Sequence, residues 1–525
     1  MSVSTAFNQE EFQALFSGIL AAKAARDYPA ALALFRRAFR MAPPVFSSSH
    51  LWAALFNASD WYGSDAEGDA YIDYADGMMA ELQALGETDP ALAATLAKSF
   101  LEGALFRQTT HNTRPLTGFM ARRAALFRLA LRNLAPVLDH RFATPVSAGG
   151  KLRYGILLKK LTQDPETIGA LSYFEFARAA DLEVVVFVTE AEEQPGFADR
   201  IRAVADQVIR LPPDLLGAVQ ALRTADLDIL FYANDVTAKA SLTSYLPFFR
   251  VARRSFTCVA SIATTAAPFM DAYLGAAYFK ARGFDAEFTE RFIALPFPGF
   301  CFSTPVRTTV DPDQFSRARL GIPADAVVFT TGANYTKLHG ALLESWGRIL
   351  KAVPGSYLLL CPFPPHFGQP QGEIAESWLA MMEQAGASRD QIRILPSLGS
   401  RDAMIALLKA ADIGLDSFPY SGLTTIVDSV EAHLPVIALG GPLLRNNHAA
   451  AILDGIGASA LIATTQDDYV DRTVALARDP AQRAVWRRHL ADVMAGPPNF
   501  LDPPAYCRAV VGVCRMLYDE LKAGA

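Results

Sequence analysis

Residues 413–428, IGLDSFPYSGLTTIVD, decide how this chain is read. A short apolar run, IGL, leads into a loop containing proline, Ser421 and Gly422, and Thr424 and Thr425 then open a helix. An apolar run, a tight turn and a helix start make up one βα unit of a parallel sheet. A helix start presents free N–H groups and a partial positive charge, which suits an anion. The threonine hydroxyls add donors. Asp428 comes one turn later, where it suits a sugar hydroxyl better than a phosphate. An ordinary helix cap explains the same residues when they are taken alone.

The neighbouring segments repeat the pattern. Upstream lie AVVFTTG, SYLLLCP and IRILPS, and downstream PVIALGG and ALIATT. An earlier series, RYGILL, EVVVFV, DILFYA and SFTCVA, starts near Gly149. Two consecutive βα series predict two doubly wound lobes, with ligands beyond the carboxyl ends of the strands. Two further turns therefore matter. After AVVFTTG come Asn334 and Lys337, a polar group and a cation able to meet phosphate, although a surface lysine at a helix start reads the same way. After IRILPS come Gly399, Ser400 and Arg401, where the glycine admits a ligand to the backbone and the arginine reaches either a phosphate or water.

The residues before Gly149 read as helical. Phe12, Leu15, Phe16, Ile19 and Leu20 fall at helical spacing. YPAALALFRRAFRMAP, residues 28–43, resembles half of one tetratricopeptide repeat, with no second copy at the repeat period. The division that follows is an all-helical domain over 1–147, one lobe over 148–305, a second over 306–500, and a tail over 501–525 that packs back on the first lobe. With 525 residues, about three domains are expected. The 51% hydrophobic and 19% charged composition is that of a globular chain with a large core. A net charge of −6 argues against nucleic acid as a partner.

Five cysteines without C-x-x-C spacing argue against a disulfide framework or metal cluster and fit a reducing compartment. The polar N-terminus does not read as a signal peptide, and no apolar run is long enough to span a membrane, so a cytoplasmic protein is expected. Asp226 with Asp228, and Asp311 with Asp313, match a D-x-D form but sit in apparent turns, so no metal site is expected.

Together these pieces resemble glycosyltransferase family 41 over about residues 150–520. The carriers are NYTK at 334–337, ILKAVPGSYLLL at 349–360, ADIGLDSFPYSGLTTIVDS at 411–429, and PVIALGG with Arg445 downstream. The family contains O-linked N-acetylglucosamine transferases and cytoplasmic, adhesin-modifying bacterial N-glycosyltransferases. The resemblance implies a GT-B fold and an inverting, metal-independent transfer from a UDP-sugar, which is a substrate, with no cofactor. It also implies donor contacts by Asn334, Lys337, Gly399, Arg401, Gly422, Thr424, Thr425 and Asp428.

LRYGILLKKLTQDPETIGALSYFE, residues 152–175, resembles the first strand and acceptor-facing loop of the adhesin-modifying branch. MDAYLG, residues 270–275, resembles another family segment. Glu166-Thr167 stands for a T-E-T-like stretch of the adhesin-modifying branch, and the O-linked branch has histidines where this chain has Asp164, Leu423 and Met404, which weakens the O-linked assignment and leaves the sugar open. A protein acceptor of the adhesin or flagellin kind is then implied, with the helical domain helping to recruit it. Asp164, Glu166, Asp235 and Asp271 are the candidate bases beside Lys337. A degenerate scaffold, or a transferase acting on a small molecule or glycan, is the alternative.

Overall fold

The computed structural model describes residues 8–57, 62–143, 151–303, 307–311, 313–364 and 371–523. Both expected lobe boundaries, 147/148 and 305/306, lie outside them.

The N-terminal region is all helix. Helices Gln9–Ala24 and Tyr28–Met41 pack as a pair, and Asn8 and Asp27 cap them by accepting backbone N–H groups from Glu11 and Ala30. Helices Asp65–Thr88, Pro90–Gly103 and Thr117–Ala130 follow, and Ser64 and Asp89 cap the first two in the same way.

Seven parallel strands form the first sheet: β1 Leu152–Leu158, β2 Leu182–Val188, β3 Gln207–Arg210, β4 Ile229–Tyr232, β5 Arg254–Cys258, β6 Ala272–Ala276 and β7 Arg291–Leu295, in the order β3-β2-β1-β4-β5-β6-β7. Six form the second: β8 Val328–Thr331, β9 Tyr357–Leu360, β10 Ile392–Ile394, β11 Ile413–Leu415, β12 Val436–Leu439 and β13 Ile462–Ala463, in the order β10-β9-β8-β11-β12-β13. Strand order reverses between β1 and β4 and between β8 and β11. A crevice opens beyond the carboxyl ends at such points.

Alternation along β1 ties the parts together. Tyr154, Ile156 and Leu158 join a core that includes Tyr506 and Cys514 of helix Pro503–Ala523. Leu157 belongs to the other face, whose core runs without a break into Phe119, Leu126 and Phe127 of the helical region. The helical region is therefore one wall of the first lobe. The C-terminal helix is held by Tyr506, whose hydroxyl oxygen lies 2.8 Å from the Tyr173 hydroxyl and 3.2 Å from the Gly299 carbonyl oxygen.

Candidate active site

The turn after β8 and the start of helix Thr424–Glu431 meet closely because Gly332 has no side chain. A Cβ there would stand 2.5 Å from Cγ2 of Thr425. Gly422 is equally confined, since a Cβ would lie 2.7 Å from Oδ1 of Asp416 and 2.8 Å from Oγ1 of Thr425. The loop between β11 and helix Thr424–Glu431 is held from below by buried Asp416. Its carboxylate accepts from Ser421 Oγ at 2.8 Å and from the Gly422 N–H at 2.7 Å. Burial pushes the Asp416 carboxyl up to about 6, against the pull of those bonds and of Lys337.

Lys337 reaches this loop from the turn after β8. Its Nζ donates to the Ser421 carbonyl at 3.0 Å and stands 4.5 Å from the centre of the Tyr420 ring. The side chain is half-buried, and desolvation lowers its pKa to about 8, with Asp416 acting in the opposite sense. Asn334 is exposed and accepts from the Thr336 hydroxyl at 2.6 Å.

A cavity of about 530 Å³ lies between the lobes. The second lobe contributes Gly399, Arg401, Thr424, Thr425 and Asp428 to its wall, and the first contributes Pro165 and Phe302. Arg401 donates from Nε to Oδ1 of Asp428 at 2.7 Å and from Nη2 to Glu431, while its Nη1 is buried without a partner. Burial raises the Asp428 carboxyl to about 7 although Arg401 opposes this. For Arg401, burial works against the charge, but Asp428 and Glu431 outweigh it and the pKa is raised. Arg401 is thus clamped to the acid that the sequence suggested for a sugar hydroxyl. Arg307 extends the network, reaching Asp402 at 3.0 Å and Glu431 at 2.8 Å.

An apolar recess of about 100 Å³ also has Thr424, Pro165 and Phe302 in its wall, and Glu166 lines it from the first lobe. Asn234 donates to Glu166 at 2.8 Å. Burial raises the Glu166 pKa; the Asn234 bond opposes the rise and Asp235 adds to it. Asp164 instead caps helix Pro165–Leu171, accepting from the N–H and hydroxyl of Thr167. Asp235 follows β4 and closes a turn, accepting from Thr237 and the Ala238 N–H. The geometry corrects the inclusion of Asp271. It precedes β6, at the amino edge of the sheet, where it accepts from the Ser255 N–H and lies near Arg250 and Arg254. A residue there is on the side of the sheet away from the crevice.

The Asp226–Asp228 pair also lies at the amino edge, tied to Arg253 and Arg153. Asp311 accepts from the Asp313 N–H and from Arg319. Among the described residues, no group of three His, Cys, Asp or Glu side chains could hold a metal ion.

The sequence reading missed what the helical region brings. Residues 109–112, TTHN, are buried against the second lobe. Arg445, 2% exposed, donates to the Thr110 carbonyl at 2.8 Å, to Asn112 Oδ1 at 3.0 Å and to the Arg114 carbonyl at 2.5 Å. This seats His111 edge-on to Tyr420, with ring centres 5.1 Å apart, on the ring that carries Lys337. His448 approaches the same ring at 6.2 Å, and its Nδ1 is buried without a partner. Burial, with Lys337 adding, lowers both imidazoles to about 3, so both are neutral. The only local signal was a polar TTHN run between helices.

This geometry is a crevice between two doubly wound lobes, with a lysine and a helix start facing one loop. Residues 308–507 match glycosyl transferase family 41. The probable UDP-N-acetylglucosamine–peptide N-acetylglucosaminyltransferase SPINDLY of Arabidopsis thaliana is 32% identical over 174 residues, 33% of this chain and 18% of that protein. SEC of the same plant, another probable enzyme of that description, is 23% identical over 360 residues, 66% of this chain and 36% of that one. The chain thus spans about a fifth to a third of the length of these curated relatives. Both are plant proteins, so the adhesin-modifying branch draws no support from them. An O-GlcNAc transferase mutant of Thermobaculum terrenum aligns over 100% of both chains with a TM-score of 0.65 and 21% identity, which shows a shared fold. The architecture is GT-B with an all-helical N-terminal region. Among the described residues no helix is long and apolar enough to cross a membrane.

Proposed function

We propose that this protein is a family 41 glycosyltransferase that moves a hexose or N-acetylhexosamine from a UDP-sugar to an Asn, Ser or Thr side chain. The observation that carries this is the joining of Lys337 to the Ser421 carbonyl, three residues before the helix that starts at Thr424. A cation and a helix start then face the same diphosphate. The acceptor attacks C1 from the opposite face, the C1–O bond breaks, and UDP leaves with its electron pair. Charge grows on the diphosphate, where Lys337 and the N–H groups at Thr424 and Thr425 stabilise it without a metal. Asn334 and Gly422 complete the phosphate loops. Asp428 takes the ribose, and Gly399 and Arg401 take the base side.

Glu166 is the proposed base. It lines the recess beside Thr424, and burial keeps its pKa above that of an ordinary carboxylate. Asp164 and Asp235 position the loops around it. The proposed acceptor is a cytoplasmic protein of the adhesin or flagellin kind. Support comes from the resemblance of residues 152–175 to the acceptor-facing loop of the adhesin-modifying branch, and the departures at Asp164, Leu423 and Met404 weaken the O-linked alternative.

Calorimetry with UDP in excess chelator, followed by UDP release from a panel of UDP-sugars, tests the reading. Binding in chelator and turnover of one donor are expected. Binding that appears only with manganese would overturn the metal-free part, and no binding in either condition would overturn the whole.

A further inference from the structure

The loop that follows β4 is held from the helical region. The Phe106 N–H donates to the Ala238 carbonyl at 2.7 Å, and Leu105 bridges Lys239 in antiparallel register. Two residues earlier in the loop, Nη2 of Arg123 donates to the Val236 carbonyl at 3.0 Å. Arg123 belongs to helix Thr117–Ala130 and is 1% exposed. Its guanidinium lies 4.9 Å from the centre of the Phe106 ring and 4.7 Å from that of Phe127, and its Nε is buried without a partner. Burial lowers its pKa to about 10, with Asp235 opposing the shift.

A guanidinium buried against a neutral carbonyl costs stability that an apolar side chain in its place would not. The faces of the two rings offset only part of this cost. Packing therefore does not account for an arginine here, but the loop it reaches does. Val236 is two residues from Asn234, which is buried and fixed at both ends of its amide. Asn234 Oδ1 accepts from the Lys159 N–H at 2.8 Å, and Nδ2 donates to Oε2 of Glu166 at 2.8 Å. Arg123, the loop and Glu166 thus form one chain of contacts from the helical region to the crevice.

The surroundings of Glu166 set the sign of the coupling. Among its polar neighbours the Asn234 bond acts most strongly and lowers its pKa; Asp235 raises it, Lys159 lowers it and Asp164 raises it, each by less. Tyr420 and Cys258 face it as well, and burial raises the pKa of both. A loop that loses its seat weakens the Asn234 bond, so the Glu166 carboxyl then keeps its proton to higher pH.

We infer that Arg123 is a positioning residue for Glu166: it seats the loop after β4 so that Asn234 holds the carboxylate in place beside Thr424. The role of Glu166 as base rests on the proposed function; the coupling of Arg123 to Glu166 does not.

The test titrates the full chain, labelled with carboxyl-13C glutamate, by NMR. The Glu166 signal is the one absent from Glu166→Gln. Arg123→Met fills the space between the rings without a donor or a charge. Arg123→Lys keeps the charge but falls roughly 1 Å short of the carbonyl. Both should raise the Glu166 midpoint by about half a unit or more, as should Asn234→Ala, and Arg123→Met should add little to Asn234→Ala. A midpoint unmoved in either folded Arg123 variant, or an equal further shift in the double variant, would overturn the inference. UDP release from UDP-sugars at saturating donor, followed across pH in the same proteins, separates the two claims. The acid limb of turnover should move with the midpoint. A midpoint that moves while the limb stays, or while the wild type turns over no donor, upholds the coupling and removes Glu166 as the base.

Discussion

Arg445 of the second lobe donates its Nε to the carbonyl of Thr110, 335 residues earlier in the chain, at 2.8 Å. That bond holds the helical region against the loop that Lys337 touches. Arg445 is buried, and its own pKa is lowered to about 10 by burial, with Glu287 opposing the shift. Three oxygens of residues 110–114 satisfy it, and they are in turn held in place by it. Arg445→Ala should cost about 3 kcal/mol of stability, because it strands those buried acceptors. Denaturant unfolding measures this, and a loss within about 0.5 kcal/mol would show the segment is seated by other contacts.

The same coupling predicts the fate of a chain truncated before residue 148. The sequence alone suggested an all-helical domain over 1–147 that helps recruit an acceptor. The shared core of Leu157, Tyr232, Phe127 and Phe248 means that deletion exposes an apolar sheet face. The truncated chain should be insoluble or bind a hydrophobic dye strongly. A soluble fragment with a cooperative unfolding transition would contradict this.

Lys337 supplies a pH prediction whose two parts have opposite signs. Burial brings its pKa from 10.5 to about 8, so the unliganded protein loses this cation as pH rises through that value. UDP affinity should fall by only about two- to threefold from about pH 7 to 9.5, and Lys337→Met should show the lower affinity throughout with a flat profile. Stability moves the other way. The unfolded lysine holds its proton up to 10.5, so between about 8 and 10.5 the unfolded state binds more protons and this group's contribution to stability rises with pH. Calorimetry across the range checks the first part. An identical slope in Lys337→Met would assign the titration to another group.

Arg401 and Asp428 should behave as one unit. Arg401→Ala leaves Asp428 buried, with its carboxyl already raised to about 7, and should destabilise by about 3 kcal/mol. Adding Asp428→Asn removes the stranded charge and should restore more than half of that loss, while UDP binding stays weak. Thermal unfolding of the single and double variants gives the coupling, and simple additivity would show that the two side chains are independent.

The sequence was most legible where each element carries its own signal. RYGILL, EVVVFV and PVIALGG are apolar on both faces, and they form β1, β2 and β12 as read. Strand β3 was missed because QVIR is short and partly exposed at the sheet edge, and β7 because RFIAL is only partly buried. In the site, Thr424, Thr425, Asp428, Gly399 and Arg401 share one cavity wall because each follows a strand of one sheet. That rule is local, so it can be read along the chain. It cannot reveal the Arg401–Asp428 pairing, which depends on two turns facing each other, or the arrival of His111 from another domain. Asp271 shows the reverse error, since its type suited a base but its place before a strand put it at the wrong edge.

Lys337 is proposed to stabilise charge that develops on a departing diphosphate. Turnover at saturating donor, measured beside UDP affinity in Lys337→Ala, tests it most directly. A folded protein is expected whose turnover falls by about a hundredfold or more while UDP affinity changes far less, with poor rescue by Lys337→Arg, whose planar head does not occupy the same point. Near-wild-type turnover in a folded Lys337→Ala protein would contradict it.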